Sequence, residues 1–241
     1  MPTTFHHSLT PHFHTMARTG WRGGKNLMYR WRANPTTNSP SNAAVGTSDS
    51  GSISENADSH TVGADAGGPY CDFITGTGTD DCYIGTSGRY YTVIGLSDFY
   101  HIARFALPVA FDGSFFVGLT PYGNRTVINN SANPYSNMIG LRLVDDVDTN
   151  FQFVRSAASS VTSTDTSVAP ATDVIYQLEQ EFSSDGTSLR GRLTNVGTGS
   201  VLWADTTVTD NLPAVTTEMS PLIAAKNGTN TFRFYKHEVW I

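Results

Sequence analysis

Long apolar runs are missing from this 241-residue sequence. No stretch reaches the roughly 18 apolar residues that a membrane-crossing helix needs, so no membrane partner is expected. The N-terminus carries His6, His7, His12 and His14 but no continuous apolar segment of signal-peptide length. The expectation is a protein made in the cytoplasm that stays soluble, or leaves by a route other than the standard secretory one. Charge is sparse too. Asp, Glu, Lys and Arg make up 15% of the chain, against about a quarter in ordinary soluble domains. Long amphipathic helical patterns are absent, and no internal repeat is visible, which disfavours propellers and solenoids.

Cysteine is nearly absent. Cys71 and Cys82 flank the turn-rich segment Gly76-Thr77-Gly78-Thr79-Asp80-Asp81. Two readings stay open. A hairpin could bring the thiols together, and a disulfide closing so short a loop contributes roughly 3 kcal/mol in the chain-entropy picture. The lack of an export signal favours two reduced, buried thiols instead. Two thiols without neighbouring histidines make only half a zinc site.

Catalytic signatures are missing as well: nucleophile elbows, phosphate-cradling glycine loops and helical metal-binding histidine pairs. The N-terminal histidine cluster lacks a fixed scaffold for a metal. His60 lies in a polar stretch, and His101, beside Tyr100, reads as packed and hydrogen-bonded, with His237 the other histidine of the body. Asp145, Asp146, Asp148 and Asn150 offer oxygens but not the glycine and terminal glutamate of a calcium loop, so they read as a solvated turn. Glu179 and Glu181 share one strand face, whereas glycosidase carboxylates flank a cleft from different strands. That face is expected to be solvated. No enzyme activity, metal or cofactor is expected.

What is present divides by composition. Residues 1–48 hold Arg18, Arg22, Lys25, Arg30 and Arg32 and no acid; all 21 acids follow, beginning at Asp49. A basic head on an acidic body predicts two surfaces with different partners. Residues 33–67 are rich in Gly, Pro, Ser, Asn and Thr and cannot bury enough apolar surface to offset their ordering entropy. They are expected to be a flexible linker, ordered only by something outside the chain. The reading is therefore a basic, low-complexity arm and linker at 1–67 and a strand-built domain at 68–241.

Short strands with turns between them are expected at 70–75 and 82–85 (a hairpin), 89–95, 100–107, 114–119, 138–144, 151–155, 173–182, 189–193, 200–204, 222–225 and 231–241. Val174, Tyr176, Leu178 and Phe182 alternate with Gln177, Glu179 and Glu181, and Arg190 and Arg192 are expected to face outward beyond the turn at Asp185-Gly186. Leu27, Tyr29 and Trp31 also alternate. Repeated short strands of this kind argue for an all-β antiparallel sandwich preceded by an extended N-terminal arm.

Two segments look built for binding. The loop holding Tyr122, Asn124, Arg125, Asn129, Asn130 and Tyr135 mixes aromatic rings, amides and a guanidinium, a mixture that suits sugars, and long loops on rigid scaffolds carry function. The arm residues Trp21, Arg22, Lys25, Tyr29, Arg30, Trp31 and Arg32 interleave rings and positive charge. Stacking on nucleic acid would use such residues, but five charges are few, and docking of an extended strand onto a protein partner uses them equally well.

The strands His101-Ile102-Ala103-Arg104-Phe105 and Ser114-Phe115-Phe116-Val117-Gly118-Leu119, the run Ile175-Tyr176-Gln177-Leu178 with Asp185-Gly186-Thr187, and the closing Phe232-Arg233-Phe234-Tyr235-Lys236 resemble the concanavalin-like, lectin-type jelly rolls of phage and other viral fibre and surface proteins. The resemblance spans roughly residues 100–241. The family's frequent Asn-Gly turn is replaced by Asn195-Val196-Gly197-Thr198-Gly199, and no sugar-binding residue is carried over. The resemblance implies a jelly-roll virion structural protein of a tailed phage: a fibre, spike or capsid decoration on the virion surface. Its arm would dock onto other virion proteins, and its outer domain would meet host glycans. A homo-oligomer, a trimer first, is expected on the same ground; nucleic acid is not the expected partner.

Overall fold

In the computed structural model, residues 61–75, 100–121, 137–158, 160–172, 174–205, 207–226, 228 and 230–240 are described in full. Between residues 27 and 60 and between 81 and 93 the backbone of the strands is described. The strands, in chain order, are β1 (Leu27–Ala33), β2 (Pro40–Ala44), β3 (Gly51–Ile53), β4 (Ala57–Asp65), β5 (Gly68–Thr75), β6 (Asp81–Thr86), β7 (Thr92–Val93), β8 (Tyr100–Ala106), β9 (Ser114–Pro121), β10 (Ile139–Leu143), β11 (Gln152–Ala157), β12 (Ser160–Asp165), β13 (Ile175–Phe182), β14 (Leu189–Asn195), β15 (Val201–Ala204), β16 (Glu218–Lys226) and β17 (Thr231–Trp240). Among the described residues there is no helix.

The strands form two antiparallel sheets. The first runs β15-β14-β13-β8-β17-β1-β2, with the β4–β5 hairpin joined to β17 through β5; the second runs β12-β11-β10-β9-β16-β6-β3, with β7 on β16. The core lies between them. Alternation along β13 puts Tyr176, Leu178 and Phe182 into it, and Phe105, Phe115, Phe151, Phe153, Phe232 and Phe234 join them with no exposure. Phe105 stacks on Tyr176 at 5.4 Å between ring centroids and meets Phe115 of the other sheet at 5.3 Å. This is the two-layer packing expected of a sandwich whose inner faces interdigitate.

The turn at Asp185-Gly186 is present, with Gly186 at φ 68° and Asp185 accepting from the Ser183 and Thr187 hydroxyls and the Thr187 amide. It connects β13 to β14 in the register Glu179↔Arg192.

Three expectations need correction. Residues 70–75 and 82–85 do not form a hairpin: β5 pairs with β17 and β4, while β6 pairs with β16 and β3 in the opposite sheet. Nor is the polar stretch 33–67 a bare linker. It supplies β2, β3 and β4, and the compositional boundary at 67/68 falls in the turn between β4 and β5. A ladder is made by backbone groups and needs few apolar side chains; at Gly63 the missing side chain is replaced by the ring of its cross-strand partner Tyr70, whose Cζ lies 2.6 Å from where a Cβ would stand. β1 pairs with β17 of the same chain, in the register Arg30↔Glu238 and Trp31↔His237.

The third correction concerns Gln177, Glu179 and Glu181. They point away from the core as the alternation requires, yet they are 4%, 0% and 4% exposed. Along β13 both faces are covered, and Arg192, expected outside, is buried with them. Besides β2, β3 and β4, the sequence reading also missed β12, a polar edge of Ser, Thr and Asp with a single Val.

Candidate functional site

β17 changes partner halfway along. Thr231 to Phe234 pair with β5, Lys236 to Trp240 pair with β1, and Tyr235 falls between. In the ladder with β8 the register also shifts between Phe234 and Lys236, making Tyr235 the extra residue of a bulge. Bulges re-aim side chains. Here Phe232 and Phe234 before the bulge, and Val239 after it, all reach the core, while the Tyr235 hydroxyl donates to Asp65 Oδ2 at 2.7 Å.

Asp65 ends β4. Its Oδ1 accepts the Gly67 amide at 2.7 Å, closing the hairpin turn. Its Oδ2 also accepts Arg233 Nη1 at 2.8 Å. The same guanidinium donates from Nε and Nη2 to the two oxygens of Asp72, at 2.7 and 2.8 Å, the two-pronged geometry that makes arginine–carboxylate pairs strong and directional. Its Cζ sits 3.5 Å from the centre of the Tyr70 ring, in cation–π range. Pairing with Asp72 holds the Arg233 pKa above its ordinary value. Burial, then the Asp65 carboxylate, raises that of Tyr235.

Gly67 is needed where it stands. A Cβ there would lie 2.7 Å from the Tyr235 ring and 2.9 Å from Ile175 Cδ1. Its carbonyl accepts Arg104 Nη1 at 3.1 Å, and from Arg104 a line of hydrogen bonds crosses the covered face of the sheet. Arg104 Nη2 donates to Gln177 Oε1 at 2.8 Å, Gln177 Nε2 to Glu179 Oε1 at 2.6 Å, and Arg192 Nε to Glu179 Oε2 at 2.7 Å. The turn that carries Asp65 is thus anchored to three strands.

Beside this cluster opens a cleft of about 180 Å³, smaller than the roughly 300–1,000 Å³ of pockets that take drug-sized ligands. Asp65, Arg233 and Tyr235 line it together with Ala106, Val174, Ile175 and Thr172; Arg233, Ala106 and Ile175 stand side by side in one cross-strand row. Of a guanidinium's five N–H donors, Arg233 commits one each at Nε, Nη1 and Nη2. Two remain, along with an Asp65 lone pair and the hydroxyl of the exposed Thr172. The lining sets hydrogen-bonding groups beside aliphatic carbon.

The residues singled out from sequence fare unevenly. Tyr122, Asn124, Arg125, Asn129, Asn130 and Tyr135, the arm residues Trp21, Arg22 and Lys25, and the histidines before residue 15 lie outside the described residues. Tyr29, Arg30, Trp31 and Arg32 are placed on β1 by their backbone alone. Cys71 is a free, buried thiol, so the disulfide to Cys82, which belongs to β6 of the other sheet, is not made. His101 is packed as expected, its Nδ1 2.8 Å from Gln180 Oε1. Asp148 caps its own turn by accepting the Val144 amide and lies 3.4 Å from Arg142 Nε. Asn150 is tied to Asp165. Glu179 is ion-paired to Arg192 rather than solvated.

Sequence reasoning missed Asp65, Arg233 and Tyr235. Asp65 hid in a stretch set aside for its composition. The other two hid in a strand read as apolar, although the adjacent aromatics Phe234 and Tyr235 break its alternation as a bulge would.

No family model matches the chain, and no curated protein matches it. Solved structures do. Arcelin-5, a lectin-like defense protein from Phaseolus vulgaris, aligns with a TM-score of 0.55 and 12% identity over 90% of this chain and 97% of its own. The fold is that of the lectin-like β-sandwiches. A protein of unknown function from Shewanella oneidensis MR-1 aligns with a TM-score of 0.61 and 15% identity, over 96% of this chain and 94% of its own. The carbohydrate recognition domain of Emp46p, in a metal-free form, aligns with a TM-score of 0.50 and 10% identity over 78% and 87%. At these identities the likeness is one of fold.

Proposed function

We propose that this lectin-like sandwich is a non-catalytic recognition module that binds sugars in the Asp65–Arg233–Tyr235 cleft. The observation that carries the reading is the cleft's lining, which sets hydrogen-bonding groups with spare capacity (Asp65, Arg233) beside aliphatic carbon (Ala106, Val174, Ile175). Sugar rings present hydroxyls along one edge and C–H groups on a face, and such a site meets both. Mutual hydrogen bonding holds Asp65, Arg233 and Tyr235 in place before a ligand arrives, so little ordering cost is left for binding. The fold adds support, since one similar structure is a carbohydrate recognition domain and another a lectin-like protein. A broad glycan array tests it. The full chain is expected to bind a subset of glycans, and Asp65→Asn to lose them while keeping its thermal melt; a blank array, or retention by Asp65→Asn, contradicts the reading.

A second reading concerns where the module works. The charge division, with every acid placed after residue 48, favours a chain whose N-terminal end meets a different partner from its body. In this reading the module is a structural component of a virion surface, and residues 1–26 dock onto the particle. Removing residues 1–26, which precede β1, is expected to abolish incorporation into particles. Normal incorporation of the truncated chain contradicts it.

A further inference from the structure

We propose that the cleft prefers amino sugars, taking the ammonium group of a hexosamine beside Asp65, and turns acidic sugars away; this rests on the recognition reading above. The inference comes from the charges around Arg233. Its guanidinium is shared by two carboxylates, Asp65 at 2.8 Å and Asp72 at 2.7 Å, so the group carries one unmatched negative charge. Tyr235 adds none. Burial first, and then the hydrogen bond and charge of Asp65, keep its hydroxyl protonated, and Asp65 acts on it more strongly than Arg233 does. A negative charge placed beside Tyr235 is therefore disfavoured, and a positive one favoured.

Among the described residues, Asp65 and Arg233 are the only charged groups in the cleft's lining. The cations along the covered face do not tip the balance. Arg104, Lys236 and Arg192 are matched in number by Glu238, Glu179 and Glu181, with Lys236 held to Glu238 and Arg192 to Glu179. Asp65 is the carboxylate a ligand can reach. It lies at the turn, its side chain 28% exposed, and Oδ1 accepts only the Gly67 amide there. An ammonium at Oδ1 gains a charge-assisted hydrogen bond, stronger than the one a hydroxyl makes. It also keeps water on its open side and so avoids the cost of burying an ion. The two N–H donors left on Arg233 can serve a neutral hydroxyl. A sugar carboxylate would use them too, but it would stand with two carboxylates around one guanidinium.

The experiment is a titration of the full chain with D-galactosamine, D-galactose, N-acetyl-D-galactosamine and D-galacturonate, and with the matching gluco series, followed by NMR. At about pH 6 the amine is protonated, and at about pH 9.5 it is neutral. At the lower pH the amino sugar is expected to bind about tenfold more tightly than its parent hexose or its N-acetyl form, and the uronate more weakly than either. The preference is expected to vanish at the higher pH and to shrink as salt is raised, because exposed charges are screened. Asp72→Asn removes the unmatched charge from a position outside the cleft's lining, and it is expected to bring amino sugar and parent within about twofold of each other. Equal binding of amino sugar and parent, a preference unchanged by pH or by Asp72→Asn, or tighter binding of the uronate overturns the selection while leaving sugar recognition standing. Absence of binding by every sugar, with a blank array, overturns the recognition reading itself.

Discussion

His101 on β8 and His237 on β17 meet edge to face inside the sandwich, their ring centroids 5.1 Å apart. Both are wholly buried. His101 has Gln180 beside its Nδ1, and Phe234 lies against His237 at 5.9 Å. Burial holds both imidazoles neutral: it depresses the His101 pKa from 6.5 to about 4, and it pushes His237 well below its ordinary value, with His101 adding to the effect.

A group whose folded pKa is depressed in this way binds its proton more readily in the unfolded chain. For His101 the stability of the neutral ring is complete above pH about 6.5 and is lost as pH falls from there towards 4, amounting to about 3 kcal/mol. Urea unfolding at a series of pH values from 7 to 4 is expected to show this decline. His101→Leu should flatten it by up to about 1.4 kcal/mol per pH unit, the share of one proton. An unchanged pH slope in the variant contradicts the account.

Glu179 and Arg192 form a buried pair across β13 and β14. Removing one partner leaves the other charge buried without its counterpart, a loss of about 3–5 kcal/mol. Glu179→Ala is expected to fall in that range by denaturant titration. Adding Arg192→Leu should recover at least half of the loss, because replacing both charges by carbon removes the unpaired ion. A double variant no better than the single one counts against the pair.

Gly118 and Gly140 face each other where β9 meets β10. A Cβ on Gly118 would lie 2.6 Å from Gly140 Cα and closer still to the Ile139 carbonyl oxygen. Backbone cannot step aside as a flexible side chain can. Gly118→Ala is therefore expected to cost about 3 kcal/mol, the upper end of overpacking, seen as a lowered denaturant midpoint. A neutral effect contradicts the close approach.

Cys71 is buried with no exposure, and burial, with Asp72 next to it, raises its thiol pKa to about 12. Thiolate is the reactive form, so native protein at pH 8 is expected to leave Cys71 unalkylated over hours, while denatured protein reacts within minutes. Peptide mass spectrometry reads the result. Rapid labelling of native Cys71 contradicts its placement.

Alternation along the chain reports which residues share a face, and on that point the sequence was legible: Tyr176, Leu178 and Phe182 do line the core. It does not report whether the opposite face is wet, as with Glu179 and Arg192, expected in solvent and found buried together. Turns set by local chemistry, such as Asp185-Gly186, could also be read. The cleft could not. Asp65 and Arg233 are brought together only by β5 pairing with both β4 and β17, a long-range pairing that no local pattern encodes. The stretch around Asp65 was set aside because composition weighs side chains, and a hairpin edge is held by its backbone.

The most direct test of the central claim is an amide NMR titration of the full chain with a sugar found on the array. Shifts are expected at Asp65 to Gly68, at Ala106 and Leu107, at Thr172 to Ile175 and at Arg233 to Tyr235, the segments that surround the cleft. Shifts confined to residues 122–136, with the cleft silent, would place recognition in that loop and contradict the account.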